Sequence, residues 1–379
     1  MSARIEGGVA PGFGPVADAF RSNIEDRDDR GAACVVMLEG SPVVDLCAGE
    51  ASPGRAWTPS TRAVSYSVSK GVTAICLLMA AQEGALDLDA PVARVWPQFA
   101  AQGKDRVTPR QVLAHRAGLP APSRPWTLAE LEAWDPVVED LAAQRPLWTP
   151  GESFMYHAVT VGYHAGEILR RATGMRPSQW LSARIAEPLG LDVTFGADPQ
   201  ERGLARVAQP ARPAAPDPAL DAETVELTQR ALLMDGPYGP DLFAVANTAP
   251  FLLSESPGAN LVASAGDLAR LYSATVDSTA GERLLSDETV AAATRPISRG
   301  RPHLGPDRGD VWGSGFMLHS GRRGMVGPGS FGHDGAAGQL AFAHPGHRVG
   351  FAYQTNQPGP SWDVRAEALC AALRECLSP

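Results

Sequence analysis

Lysine is almost missing from this chain. Of its 33 basic residues only Lys70 and Lys104 are lysines, and the other 31 are arginines. A guanidinium stays protonated at every working pH, whereas a buried ammonium can lose its proton. Each surviving lysine is therefore a place to ask what an arginine could not do. Excess positive charge is missing too. The net charge is −9 and the pI near 5.4, which argues against nucleic acid as a partner, since counterion-driven binding needs a cationic face. No run of about 18 apolar residues occurs, so no membrane-spanning helix is expected. The longest apolar run, Val72 to Ala81, reads as a buried helix. The first residues, Met1 to Gly8, lack an apolar stretch of signal-peptide length, which gives the expectation of a cytoplasmic protein. The five cysteines are odd in number and scattered, unlike a disulfide framework or a zinc site. Cys34 and Cys47 could face each other across a hairpin turning near Gly40-Ser41-Pro42, but free thiols are the expectation.

What is present is the composition of a soluble globular protein, 44% apolar and 20% charged. A chain of 379 residues can bury one large core or two packed lobes. Residues 33–38 and 43–46 alternate like paired strands. Residues 311–318, 339–343 and 349–354 also read extended, and 362–377 has helical spacing. Between these zones the pattern predicts helices over 68–83, 108–115, 127–143, 157–173, 177–186 and 265–276, with Gly84, Gly118 and Gly174 as stops. The proline-rich stretch 209–218 and the Gly/Pro-rich stretch 235–258 read as loop. The expected fold class is α/β (α+β): an antiparallel sheet flanked by helices, built from both termini, plus an inserted helical lobe. Residues 1–66 and 300–379 would form the α/β part and 67–299 the mainly helical part, with the site at their junction.

Ser67 directly precedes the most apolar helix, and Lys70 follows three residues later. That spacing puts both on one helix face, close enough for Lys70 to reach the Ser67 hydroxyl. An alcohol is a poor nucleophile until something accepts its proton. A lysine of lowered pKa can accept it; an arginine cannot. The competing structural explanation is a serine N-cap followed by a surface lysine. Two further elements stand out. A Pro-Gly turn at Pro150-Gly151 leads into Tyr156, whose phenol beside a cation could relay a proton, although a core aromatic would look the same. Phe331-Gly332-His333-Asp334-Gly335-Ala336-Ala337-Gly338 reads as a glycine-rich turn before a strand, able to bring backbone close to a ligand or merely to close a hairpin. His333 and Asp334 lack a third ligand at metal-binding spacing, so no metal and no cofactor are expected.

Ser67-x-x-Lys70, then Tyr156, then His333-x-Gly335 resembles the serine β-lactamase and penicillin-binding-protein superfamily, in particular its class C-like branch containing family VIII carboxylesterases. Leu113-Ala114-His115-Arg116-Ala117-Gly118-Leu119, Tyr156 to Tyr163 with Gly166-Glu167, and Trp312-Gly313-x-Gly315-Phe316 extend the likeness over most of the chain. The resemblance implies a β-lactamase-like fold and an acyl-enzyme on Ser67, with Lys70 and Tyr156 as general base and acid in an order left open. It also implies an oxyanion hole from the backbone N–H groups of Ser67 and Ala336, and substrate contacts from His157, His333, Asp334 and Gly335. Two departures bear on substrate. His333-Asp334-Gly335 stands where lactam-processing relatives carry Lys-Thr-Gly, and Ala158 stands where they carry an asparagine. Both remove a grip on an anionic lactam. The expected substrate is a small, short-chain carboxylic ester. β-Lactamase, amidase, peptidase or acyltransferase activity through the same acyl-enzyme is the alternative, and a non-catalytic binding or filament-forming relative is a minor one. Trp148, Trp312 and Trp362 are candidate pocket walls, and 235–258 a candidate contributor. Oligomeric state is not legible.

Overall fold

A computed structural model describes residues 4–210, 217–234, 236–359 and 363–378. Gly31–Leu38 is buried at every position but its last, the signature of a strand covered on both faces. It sits mid-sheet. On one side it pairs with Ser41–Ser52, which pairs in turn with Ile5–Val9. On the other side it pairs over seven positions with Val349–Thr355. The sheet then continues through Leu340–His344, Phe331–Asp334, Met317–Leu318, Val311–Trp312 and Ser298–Arg299, ten strands among the described residues with Arg55–Ala56 at the side. The two ends of the chain are thus stitched into one antiparallel sheet.

Side-chain alternation sorts the two faces. Cys34, Val36, Phe351 and Tyr353 point into a core closed by helices Gly14–Asp26 and Arg365–Leu377, through Val16, Phe20, Leu369 and Leu373. Ala33, Val35 and Met37 point the other way, against helix Ala265–Ser273 and the main core beyond it. The same alternation separates the cysteines. Cys47 pairs with Ala33 rather than Cys34, so the two thiols enter opposite cores. All five cysteines are free.

Helix Val68–Gln82 is buried at every position from Val68 to Ala80. A helix apolar all round belongs in the middle of a core, and this one packs on helix Thr160–Thr173. Several expected elements are redrawn. The 127–143 helix breaks at Trp134, which has φ +69 and joins Leu128–Ala133 to Asp135–Ala143. The helix expected from 157 starts at Thr160, leaving Tyr156 in an irregular segment. Residues 311–318 are not one strand but a hairpin, Trp312 pairing with Met317. Its turn needs Gly315, which has φ +83 and lies so close to helix 68–82 that a Cβ would meet that of Ala74 at 2.4 Å. Phe331–Asp334, expected as a turn, is itself a strand, and the turn follows it. Residues 235–258 hold two short helices, Leu242–Val245 and Ala249–Leu253. Of the 209–218 loop, 211–216 lie outside the described residues. Strand Ile5–Val9 and helix Gly14–Asp26 were not among the expected elements. The middle of the chain also holds a three-stranded sheet, in the order Ala63–Val64, Leu261–Ala263, Thr194–Phe195. Among the described residues no helix is long and apolar enough to cross a membrane.

Candidate active site

The small sheet sets the start of helix 68–82. Ser65 N donates to Leu261 O at 2.7 Å, and its hydroxyl accepts from Gln354 Nε2 at 2.8 Å. Gln339 Nε2 holds Val64 O at 2.8 Å, and the Ser69 hydroxyl bridges Tyr66 O and Leu261 N. Held from these sides, Tyr66 adopts φ +45, a left-handed conformation that costs a non-glycine residue about 1–3 kcal/mol. The chain turns sharply from strand into helix, with Ser67 at the corner. Ser67 does not cap the helix with its side chain. Its hydroxyl instead accepts a hydrogen bond from Lys70 Nζ at 2.9 Å.

Lys70 is 4% exposed, and its second acceptor is the Gly258 carbonyl at 2.7 Å. That carbonyl reaches the site because helix 160–173 presents a glycine to it: a Cβ on Gly162 would lie 2.1 Å from Gly258 N. Burial lowers the Lys70 ammonium to about 7, with Asp334 pulling weakly the other way. At neutral pH a large fraction of Lys70 is the free amine. Tyr156 shares a hydrogen bond with Ser67 and its ring lies 5.0 Å from Lys70 Nζ. Burial pushes its phenol well above the ordinary range, so it keeps its proton. Trp312 stacks on Tyr156 at 5.3 Å, and His115, with φ +62, meets both rings edge-on.

The turn after strand 331–334 approaches Ser67 from the sheet. Gly335 lies against Ser65, where a Cβ would fall 2.7 Å from its carbonyl oxygen. Ala336 is exposed at the turn, and neither its N–H nor that of Ser67 has an acceptor among the described residues. Those two donors are free for a developing oxyanion. His333 is 1% exposed; burial lowers its pKa, and Nδ1 engages Asp334 O at 2.7 Å, so the ring is neutral. Burial alone would raise the Asp334 carboxyl, but Arg323, His333 and Lys70 bring it to about 2. Arg323 pairs directly with it.

Ser67, Lys70, Tyr156, His333, Asp334, Gly335 and Ala336 therefore converge. His157 does not. It is fully buried, with Nε2 accepting from Leu119 N at 3.1 Å and Nδ1 on Met155 O at 2.6 Å. Both nitrogens brace backbone, and the expectation of substrate contact is corrected accordingly. Trp148 is buried, holding Ser153 O from below Tyr156; Trp362 lies outside the described residues. Sequence reasoning missed Gly258 and Arg323. Gly258 acts through its backbone, and Arg323 is one arginine among many, so neither carried a signal. Among the described residues no three metal-binding side chains cluster.

The beta-lactamase family model matches residues 17–374. The chain is 35% identical over 366 residues to an esterase/beta-lactamase, LipL, of Mycobacterium tuberculosis, covering 93% of this chain and 83% of that protein. A family VIII carboxylesterase crystal structure superposes with a TM-score of 0.88 at 31% identity, over 98% of this chain and 100% of the other. A novel penicillin-binding protein homolog from Caulobacter crescentus superposes at 0.87 with 33% identity, over 98% and 100%.

Proposed function

The chain belongs to the beta-lactamase family and is a serine hydrolase, and from that premise we propose that it hydrolyses small, short-chain carboxylic esters through an acyl-enzyme on Ser67. The observation that carries this reading is the 2.9 Å contact between Ser67 Oγ and a buried Lys70 brought to about 7. A general base works best when its pKa lies near the operating pH. Lys70 as free amine takes the Ser67 proton while Oγ attacks the ester carbon. The N–H groups of Ser67 and Ala336 receive the oxyanion. Tyr156, still protonated, passes its proton to the departing alkoxide and is resupplied from the Lys70 ammonium. Water then attacks the acyl-enzyme, with Lys70 again the base, and Ser67 regains its proton. The phenol's upward shift favours Lys70 over Tyr156 as first acceptor.

Esters are favoured over lactams because His333 is neutral where related enzymes present a lysine, and Ala158 offers no amide. A p-nitrophenyl ester chain-length series run beside a chromogenic cephalosporin tests the substrate class. We expect turnover to be highest with short acyl chains and lowest with the cephalosporin. In the same assay Ser67→Ala should lose turnover by at least about 10³-fold while its thermal unfolding stays unchanged. Full activity in that variant overturns the mechanism.

A further inference from the structure

The arginines that act on Tyr156 and on nearby Asp310 are each matched by a carboxylate. Arg323 sits on the 319–325 loop and pairs with Asp334. It is near enough to Tyr156 to lower its phenol's pKa, while Asp334 and Asp310 raise it. Arg322 lies 3.0 Å from Asp310, and Arg308 pairs with Asp217. His333 and His115 are kept neutral by burial. The charges of these three Arg–Asp pairs cancel, although the Arg323 guanidinium is near enough to act on Tyr156.

We infer that Asp334 is a specificity determinant: by occupying Arg323 it denies that guanidinium to a substrate carboxylate and restricts the site to uncharged esters. The inference rests on the esterase reading above and deepens it. Arg–carboxylate pairing is the usual means of seizing an anionic substrate, and here the partner is built into the strand that carries His333. Asp334 stays ionised down to about pH 2, so Arg323 is not released anywhere in the working range. An incoming carboxylate would have to displace Asp334 and leave it unpaired beside Tyr156, which is costly in a partly buried site. The missing anion clamp is thus more than an absent lysine. A suitable cation is present and internally neutralised.

The test compares p-nitrophenyl butyrate with the mono-p-nitrophenyl ester of succinic acid, which is similar in length but carries a carboxylate. Wild-type turnover of the butyrate ester tests the esterase reading alone. The inference is read from the anionic-to-neutral ratio of kcat/KM. Asp334→Asn should raise that ratio at least tenfold, and hydrolysis of an anionic chromogenic cephalosporin should rise with it. Arg323→Gln leaves Asp334 unopposed and should lower the ratio severalfold. If both variants leave the ratio unchanged, or move it the same way, the inference is overturned. If one variant fails to fold, the other decides alone, because each has a predicted sign.

Discussion

Lys70 and Arg365 are both cations buried to within a few per cent of full occlusion, 4% and 2% exposed, yet their surroundings differ in kind. Lys70 donates to two neutral oxygens, the Ser67 hydroxyl and the Gly258 carbonyl. Arg365 lies 3.1 Å from Asp29, pairs with Asp363, and donates to the carbonyls of Ala337 and Gln357. Burial works against both charges. At Lys70 little opposes it and the ammonium falls to about 7; at Arg365 the carboxylates outweigh it and the guanidinium is held more firmly. The chain's other lysine, Lys104, lies between these extremes. It is buried, bonded to Gln144 O and lowered to about 8, with no hydroxyl partner among the described residues. Burial loosens a proton, then, but only an adjacent nucleophile turns that into chemistry. The two poles are also linked in space. Arg365 grips Ala337, next to Ala336 with its free N–H, and Asp363 fills the place a Cβ would take on Gly338.

The largest expected break in this contrast comes from making the poles alike. Lys70→Arg installs a group that keeps its proton, and ester turnover should fall by about 10³-fold. Near-normal rates would remove Lys70 from the role of base. At the other pole, Arg365→Met strands the buried Asp29 and removes the partner of half-buried Asp363. Urea denaturation should register a loss of about 3–5 kcal/mol, and an unchanged midpoint would mean the network is not structural. The smallest effect is graded rather than all-or-none. Because the active form of Lys70 is the free amine and its pKa is depressed to about 7, activity should drop about tenfold per pH unit below 7 and level off above it. A flat kcat/KM profile between pH 5 and 8 would contradict that assignment.

Much of the site was legible because its key geometry is local. Ser67 and Lys70 are one helical turn apart, so their contact follows from backbone periodicity, and the scarcity of lysine singled out the pair. Most of the sheet strands 31–38 and 349–355 was legible as the extended stretches 33–38 and 349–354. Gly258 and Arg323 were not. Gly258 contributes only a carbonyl and meets Lys70 across 188 residues of chain, while Arg323 is a common side chain with nothing in its local pattern to set it apart. His157 looked like a site residue because it adjoins Tyr156 in sequence. In an irregular segment, however, neighbouring side chains point apart, and this one turned inward to brace Leu119 and Met155.

The sequence by itself determined a serine at a helix start, a lysine on the same face, the antiparallel sheet joining both ends, and the family resemblance. These rest on period, spacing and residue type, which are properties of short segments. Tertiary structure decided the rest: that Lys70 is dry enough to lose its proton, that Tyr66 is forced into a left-handed turn, and that Arg323 is matched by Asp334. Desolvation and charge pairing depend on what surrounds a group in three dimensions, and no local pattern encodes that.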